Sequence, residues 1–119
     1  MSTYRQQLGA DGEERAASWY AAAGYVVLDR NWRWRHGEID LVVRRGSTIA
    51  FCEVKTRRTS SFGQPADAVT ARKQARLRRA AAYWLCARGT HLAGPDVREV
   101  RFDVAAVTGT RVSVIEDAW

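Results

Sequence analysis

Asp40, Glu53 and Lys55 are the residues whose types and spacing best suit them to chemistry. They stand in Gly37-Glu38-Ile39-Asp40-Leu41-Val42-Val43 and Ile49-Ala50-Phe51-Cys52-Glu53-Val54-Lys55, two strings that read as strands. Between them, Arg45-Gly46-Ser47-Thr48 predicts a two-residue type II′ turn. In that hairpin Arg45 faces Thr48, Asp40 faces Glu53, and Glu38 faces Lys55. All four charged residues at the far end then share one side of the sheet. Two carboxylates in direct apposition repel each other, and a divalent cation between them would remove the penalty. Lys55 would face whatever the cation binds, so the pattern suggests a metal-dependent site for a phosphate substrate.

Mg²⁺ or Mn²⁺ suits this donor set, because a hard cation is held by one or two carboxylates plus substrate phosphate. Asp40 and Glu53 supply the carboxylates, and the Val54 carbonyl is a third candidate ligand. Lys55 would orient a metal-bound water or stabilise charge on the phosphate oxygens. Neighbouring carboxylates favour its charged form, which points to the electrostatic role. The competing reading is an ordinary surface cluster, with Lys55 paired to Glu38 and Glu53 for about 0–1 kcal/mol each. Ile39, Leu41, Val42, Val43, Ile49, Phe51 and Val54 mark both strands as central, where acids need a reason.

The chain has 119 residues, enough for one domain spanning 1–119, and a net charge of +6. Arg30 to Arg88 holds fourteen Lys or Arg against four Asp or Glu, while the remainder is net acidic. Three of those four acids are Glu38, Asp40 and Glu53. A basic surface around an acidic cluster predicts a nucleic-acid partner, with a solvated Arg-rich surface as the bland alternative. Candidate phosphate contacts are Arg33, Arg35, Arg57, Arg58, Arg72 and Arg76. A scaffold whose basic stretch meets an acidic protein is a further reading. Cys52 and Cys86 have neither metal-ligand nor disulfide spacing and read as buried thiols in a reducing compartment. No signal peptide or membrane-length apolar run is visible, so the expected location is the cytoplasm, with no membrane partner. His36 and His91 lack nucleophile partners, and no Walker-type loop or zinc signature appears.

These groups must be positioned by seven elements in the order α-β-β-β-α-β-β, a sheet with helices packed against it. The first helix runs from about Thr3 or Asp11 to Ala23, with Asp11–Glu14 or Thr3–Gln6 as capping boxes and Gly24 as its stop. Strands follow at about 25–34, 38–44 and 48–56, then a loop at 59–65. The second helix runs from about Ala66 or Thr70 to Arg88. It buries Leu77, Ala81, Trp84 and Leu85 and presents Arg72, Arg76 and Arg79 on the opposite side. Lys73 lies near the buried stripe, where it either reaches the site or snorkels past the helix edge. Residues 90–96 form a linker, and two strands close the order, at about 98–107 and 110–115.

Asp40…Glu53-Val54-Lys55 resembles the PD-(D/E)XK motif of the restriction-endonuclease-like superfamily. The wider pattern is more specific. Gly9-x-x-Gly12-Glu13-x-x-Ala16, Gly24-Tyr25, Arg30-Asn31-Trp32-Arg33, Gly37-Glu38-Ile39-Asp40-Leu41, Phe51-Cys52-Glu53-Val54-Lys55-Thr56-Arg57, Phe62-Gly63, Lys73-x-x-Arg76-Leu77 and Arg101-Phe102-Asp103-Val104 are similar to the YraN-type family. Those are uncharacterised bacterial proteins taken for endonucleases distantly related to archaeal Holliday-junction resolvases. The resemblance implies a restriction-endonuclease-like α/β fold with a central mixed β-sheet flanked by helices. It also implies Mg²⁺-dependent hydrolysis of DNA phosphodiesters, in branched or repair-intermediate structures. Asp40 and Glu53 become metal ligands and Lys55 the catalytic lysine. Glu13 matches an acid that resolvase-like members place near the metal, against the alternative of a solvated helix-start acid. Lys73 falls where related folds carry a helix residue of the active centre. Ile39 stands where the superfamily pattern has Pro, and Cys52 where a larger apolar residue is common. Two alternatives follow: an inactive nucleic-acid-binding module of the same fold, and, for a four-way junction, a symmetric homodimer supplying two sites.

Overall fold

The computed structural model describes residues 4–35, 37–57, 69–89 and 96–119, with side chains from residue 10 onward. The first helix, α1, spans Tyr4–Ala22, and three strands follow: β1 at Val26–Trp34, β2 at Gly37–Arg45 and β3 at Thr48–Arg57. The second helix, α2, covers Ala71–Trp84 and runs into a π-helical turn at Leu85–Gly89; strands β4 (Glu99–Thr108) and β5 (Arg111–Ile115) complete the order. The five strands form one mixed sheet in sequence order, antiparallel throughout except for the parallel β3–β4 pair. A parallel neighbour needs a crossover, and α2 provides it.

The elements agree with the expected order and differ at their ends. Thr70 caps α2 by accepting from the Lys73 amide at 3.2 Å. Asp11, expected as a cap, lies inside α1, because the helix continues through Gly9 and Gly12. The alternative cap at Thr3–Gln6, His36, Arg58, the whole 59–68 segment and His91 lie outside the described residues.

The β2–β3 turn has Gly46 at φ +60° and no positive φ at Ser47, as a type II′ turn requires. It sets the expected register: Arg45 faces Thr48, and Leu41 faces Cys52.

The helices lie on opposite faces. Ala16, Ala17 and Tyr20 of α1 pack on Leu41, Val43, Ala50, Cys52, Ala105 and Val107. On the other face Ala80, Ala81 and Trp84 of α2 pack on Ile39, Val42, Ile49, Phe51 and Phe102. Among the described residues, no helix is long and apolar enough to cross a membrane. Cys52 is buried as expected, but Cys86 is exposed, because it continues the solvent face that carries Arg79, Ala82 and Tyr83.

One polar network is buried within the α1 face. Asp103 is fully buried and accepts from Tyr20 Oη at 2.7 Å, Arg101 Nε at 2.8 Å, Arg101 Nη2 at 2.9 Å and the Asp117 amide at 3.0 Å. Arg101 Nη2 also donates to Tyr25 Oη at 2.8 Å. The Asp103 contacts hold Arg101 well above its ordinary pKa, and burial does the same for the Tyr20 hydroxyl. The network pins α1, β4 and the segment after β5 to one another.

Candidate active site

The hairpin ladder stops at Leu41–Cys52, one pair short of the expected acids. Beyond it β2 stays with β1 through Trp34–Gly37, and β3 stays with β4 through Arg57–Thr108. The two central strands therefore part at the site. In a continued ladder Val54 would face Ile39, but its amide donates instead to Asp40 Oδ2 at 2.8 Å.

The expected arrangement of four charges on one face is corrected accordingly. Leu41 packs on the α1 side and Ile39 on the α2 side, so strand alternation breaks at Asp40. Two irregularities in β1 accompany the break: a register shift between Val27 and Asp29, and Asn31 at φ +49° between the pairs Arg30–Leu41 and Trp32–Ile39. Bulges increase local twist, and here β2 follows β1 away from β3. Apposed carboxylates supply a further reason for the strands to separate.

Three carboxylates gather at the parting. Oxygens of Glu13, Glu38 and Asp40 lie within 4.8 Å of one another. Burial, then the charge of Glu53, push the Asp40 carboxyl up to about 8. Burial raises Glu13 as well; Glu38 and Glu53 add to the rise, while a hydrogen bond from Asn31 opposes it. Such a set of hard oxygens with mutual repulsion fits Mg²⁺ or Mn²⁺.

Glu53 is buried, and its Oε1 meets Lys73 Nζ at 2.8 Å and Lys55 Nζ at 3.3 Å. The reach of Lys73 toward the site is thus resolved: it bridges from α2 to Glu53. Burial works to lower the Lys73 pKa, but the Glu53 contact outweighs it and the net shift is upward. Lys55 goes the other way. Burial, then its Lys73 neighbour, lower it despite Glu53, reversing the expectation that nearby carboxylates would hold it charged.

Gly12 brings α1 close enough for Glu13 to join. A Cβ there would overlap Thr56 Oγ1 and crowd Thr56 Cβ and Cγ2 at 3.2 and 3.3 Å. Gly12→Ala is therefore expected to lose about 1–2 kcal/mol, since overpacking outweighs the gain in helix propensity. Urea denaturation checks this, and adding Thr56→Ala to Gly12→Ala should recover most of the loss.

The candidate phosphate contacts are spread around this centre. Arg33, Arg35 and Arg72 are exposed, and Arg57 ends β3. Arg76 is exposed but does not point wholly away from the sheet; its Cδ lies 3.2 Å from where a Gly37 Cβ would be. Sequence reasoning missed Asn31 as the partner of Glu13. Its left-handed backbone suits Asn, but nothing in the sequence requires that conformation.

The chain matches the model of the uncharacterised protein family UPF0102 over residues 12–107. It belongs to that family. A UPF0102 protein of Beutenbergia cavernae is 50% identical over 107 residues, covering 90% of this chain and 86% of the relative. One from Frankia alni is 51% identical over 104 residues, covering 87% and 82%. One from Nocardia farcinica is 49% identical over 106 residues, covering 89% and 80%. In this UPF0102 chain the match takes in Glu13, Glu38, Asp40, Glu53, Lys55 and Lys73.

Proposed function

We propose that this chain is a metal-dependent endonuclease of restriction-endonuclease-like fold that hydrolyses phosphodiester bonds of DNA. The observation that carries the reading is the carboxylate cluster at the parted strands, set against the Glu53–Lys55–Lys73 group. Asp40 belongs to both possible ligand sets. One combines it with Glu13 and Glu38, and the other with Glu53 and the Val54 carbonyl. When bound, Mg²⁺ or Mn²⁺ would neutralise phosphate charge and make water more acidic.

The remaining work falls to side chains. The Val54 amide fixes the Asp40 carboxylate. Lys73 holds Glu53 in place, and Lys55 presents an ammonium of lowered pKa to the substrate. That group can stabilise phosphate charge or exchange a proton near neutral pH more readily than an ordinary lysine. The basic surface would hold backbone phosphates, so binding weakens steeply with salt. The free thiols are compatible with the cytoplasm, where such a substrate resides in bacteria. Resolving a four-way junction would require two copies.

The test is cleavage of duplex, flap, fork and four-way-junction DNA with Mg²⁺ or Mn²⁺. Lys55→Ala is expected to lower the rate about 10²–10³-fold while binding stays within a few-fold. Cleavage that survives the substitution overturns the reading. A second reading, an inactive binding module, draws on the ion pair in which Lys73 already occupies Glu53. Calorimetry separates the two: the module takes up no Mn²⁺ that depends on Asp40.

A further inference from the structure

Tyr83 is the large aromatic most open to solvent among the described residues, at 55% exposure. Its ring lies against Trp34, with centroids 4.4 Å apart and planes inclined by 33°. A single exposed aromatic is common on protein surfaces, but this one is paired and its surroundings are cationic. The fourteen residues of α2 contain no acid. They include Arg72, Lys73, Arg76, Arg78 and Arg79.

The pair also lies on a path to the carboxylates. Tyr83 is seven residues past Arg76 on the same helix face, about 10 Å along the axis. Lys73 is one turn further back, about 15 Å from Tyr83 along the axis. Trp34 pairs with Gly37, the neighbour of Glu38, and Arg76 lies over Gly37. The aromatic pair, then Arg76, then Lys73 with its partner Glu53 follow one another along α2.

Bases in a duplex hide their faces in the stack, so an exposed ring can stack only on a base that is unpaired. A cationic track combined with aromatic faces is the arrangement by which proteins hold single strands. We infer that the Trp34–Tyr83 pair is a stacking platform for an unpaired base, whose strand runs along Arg76 toward Lys73 and Glu53, beside the carboxylate cluster. The inference deepens the nuclease reading and rests on it for the role of that cluster. The substrate class it names is DNA with an unpaired segment beside a duplex.

Fluorescence anisotropy in EDTA tests this with two probes, a blunt duplex and the same duplex bearing a single-stranded tail. The wild-type chain binds the tailed probe more tightly. Tyr83→Ala weakens tail binding about 5- to 100-fold and leaves the blunt duplex unchanged, while Tyr83→Phe keeps the preference. A 2-aminopurine in the tail is quenched by the wild-type chain and not by Tyr83→Ala. Equal loss on both probes, or no loss on either, overturns the platform. A tail preference that depends on Tyr83, with no cleavage in Mn²⁺, supports the platform and defeats the nuclease reading. Intact cleavage with tail binding unaffected by Tyr83→Ala defeats the platform alone.

Discussion

At pH 8 and without divalent metal, the Asp40→Asn protein is expected to melt roughly 10 °C above wild type and, on the proposed function, to bind no Mn²⁺ and cleave no DNA. Asp40 titrates near 3.8 when unshifted and is pushed up to about 8 in the folded chain. Between those values the folded state holds a proton that the unfolded chain has released. Stability from this group is complete below about pH 4, declines as pH rises, and is gone above about 8. The cost at pH 8 is on the order of 2–4 kcal/mol. Asn carries no charge, and its carbonyl oxygen can still accept from the Val54 amide. The variant therefore escapes the decline, and its advantage shrinks as pH falls toward 4. On the proposed function, added Mn²⁺ is expected to reverse the ranking, because only the wild-type site would gain from it. Thermal melts across pH with and without Mn²⁺, together with calorimetry, check each part. A wild-type melting temperature that is flat from pH 4 to 8 defeats the expectation.

Asp103→Ala is expected to cost about 3–5 kcal/mol of stability. It leaves the Arg101 guanidinium, with only 10% of its side chain exposed, without its bidentate partner. The Tyr20 hydroxyl and the Asp117 amide lose their acceptor as well. Glu116 stands 3.8 Å from Arg101 and is too solvent-exposed to substitute. Replacing Arg101 by Met and Asp103 by Leu together removes both charges, so the double variant loses less than Asp103→Ala alone. Urea denaturation of the three proteins measures this. A double variant that loses as much as the single would show that the charge is not what makes the substitution costly.

Much of the hairpin was legible because its signals are local. Gly46-Ser47 specifies a turn, the turn specifies a register, and the pairs out to Leu41–Cys52 follow it. Thr70 is one of two starts the sequence offers for the second helix, and it is the residue that caps α2. The parting of β2 from β3 was not legible. Alternation in Gly37-Glu38-Ile39-Asp40-Leu41 reads as one continuous strand, and the break accompanies irregularities of β1 that this pattern does not encode. Glu38 consequently joins Glu13 rather than Lys55. The Glu53–Lys73 contact depends on how α2 is laid across the sheet, which periodicity cannot set. Arg101 and Asp103 carried a signal that reasoning passed over: two opposite charges, two apart, share one face of an otherwise apolar strand. The sequence leaves the start of α1 open between Thr3 and Asp11 because Gly9 and Gly12 weaken helix propensity; the helix runs from Tyr4, and packing on Thr56 favours a residue without a side chain at Gly12.

Divergence of the central strands gives the charged groups two owners. Glu38 and Asp40 ride on one half of the sheet, Glu53 and Lys55 on the other, and the Val54 amide is the stitch between them. Their separation is therefore set by how widely the sheet gapes, more than by any single rotamer. A ligand that draws the halves together assembles the full complement, and one that wedges them apart dismantles it. For the proposed endonuclease, discrimination among substrates would then act through aperture, ahead of hydrolysis.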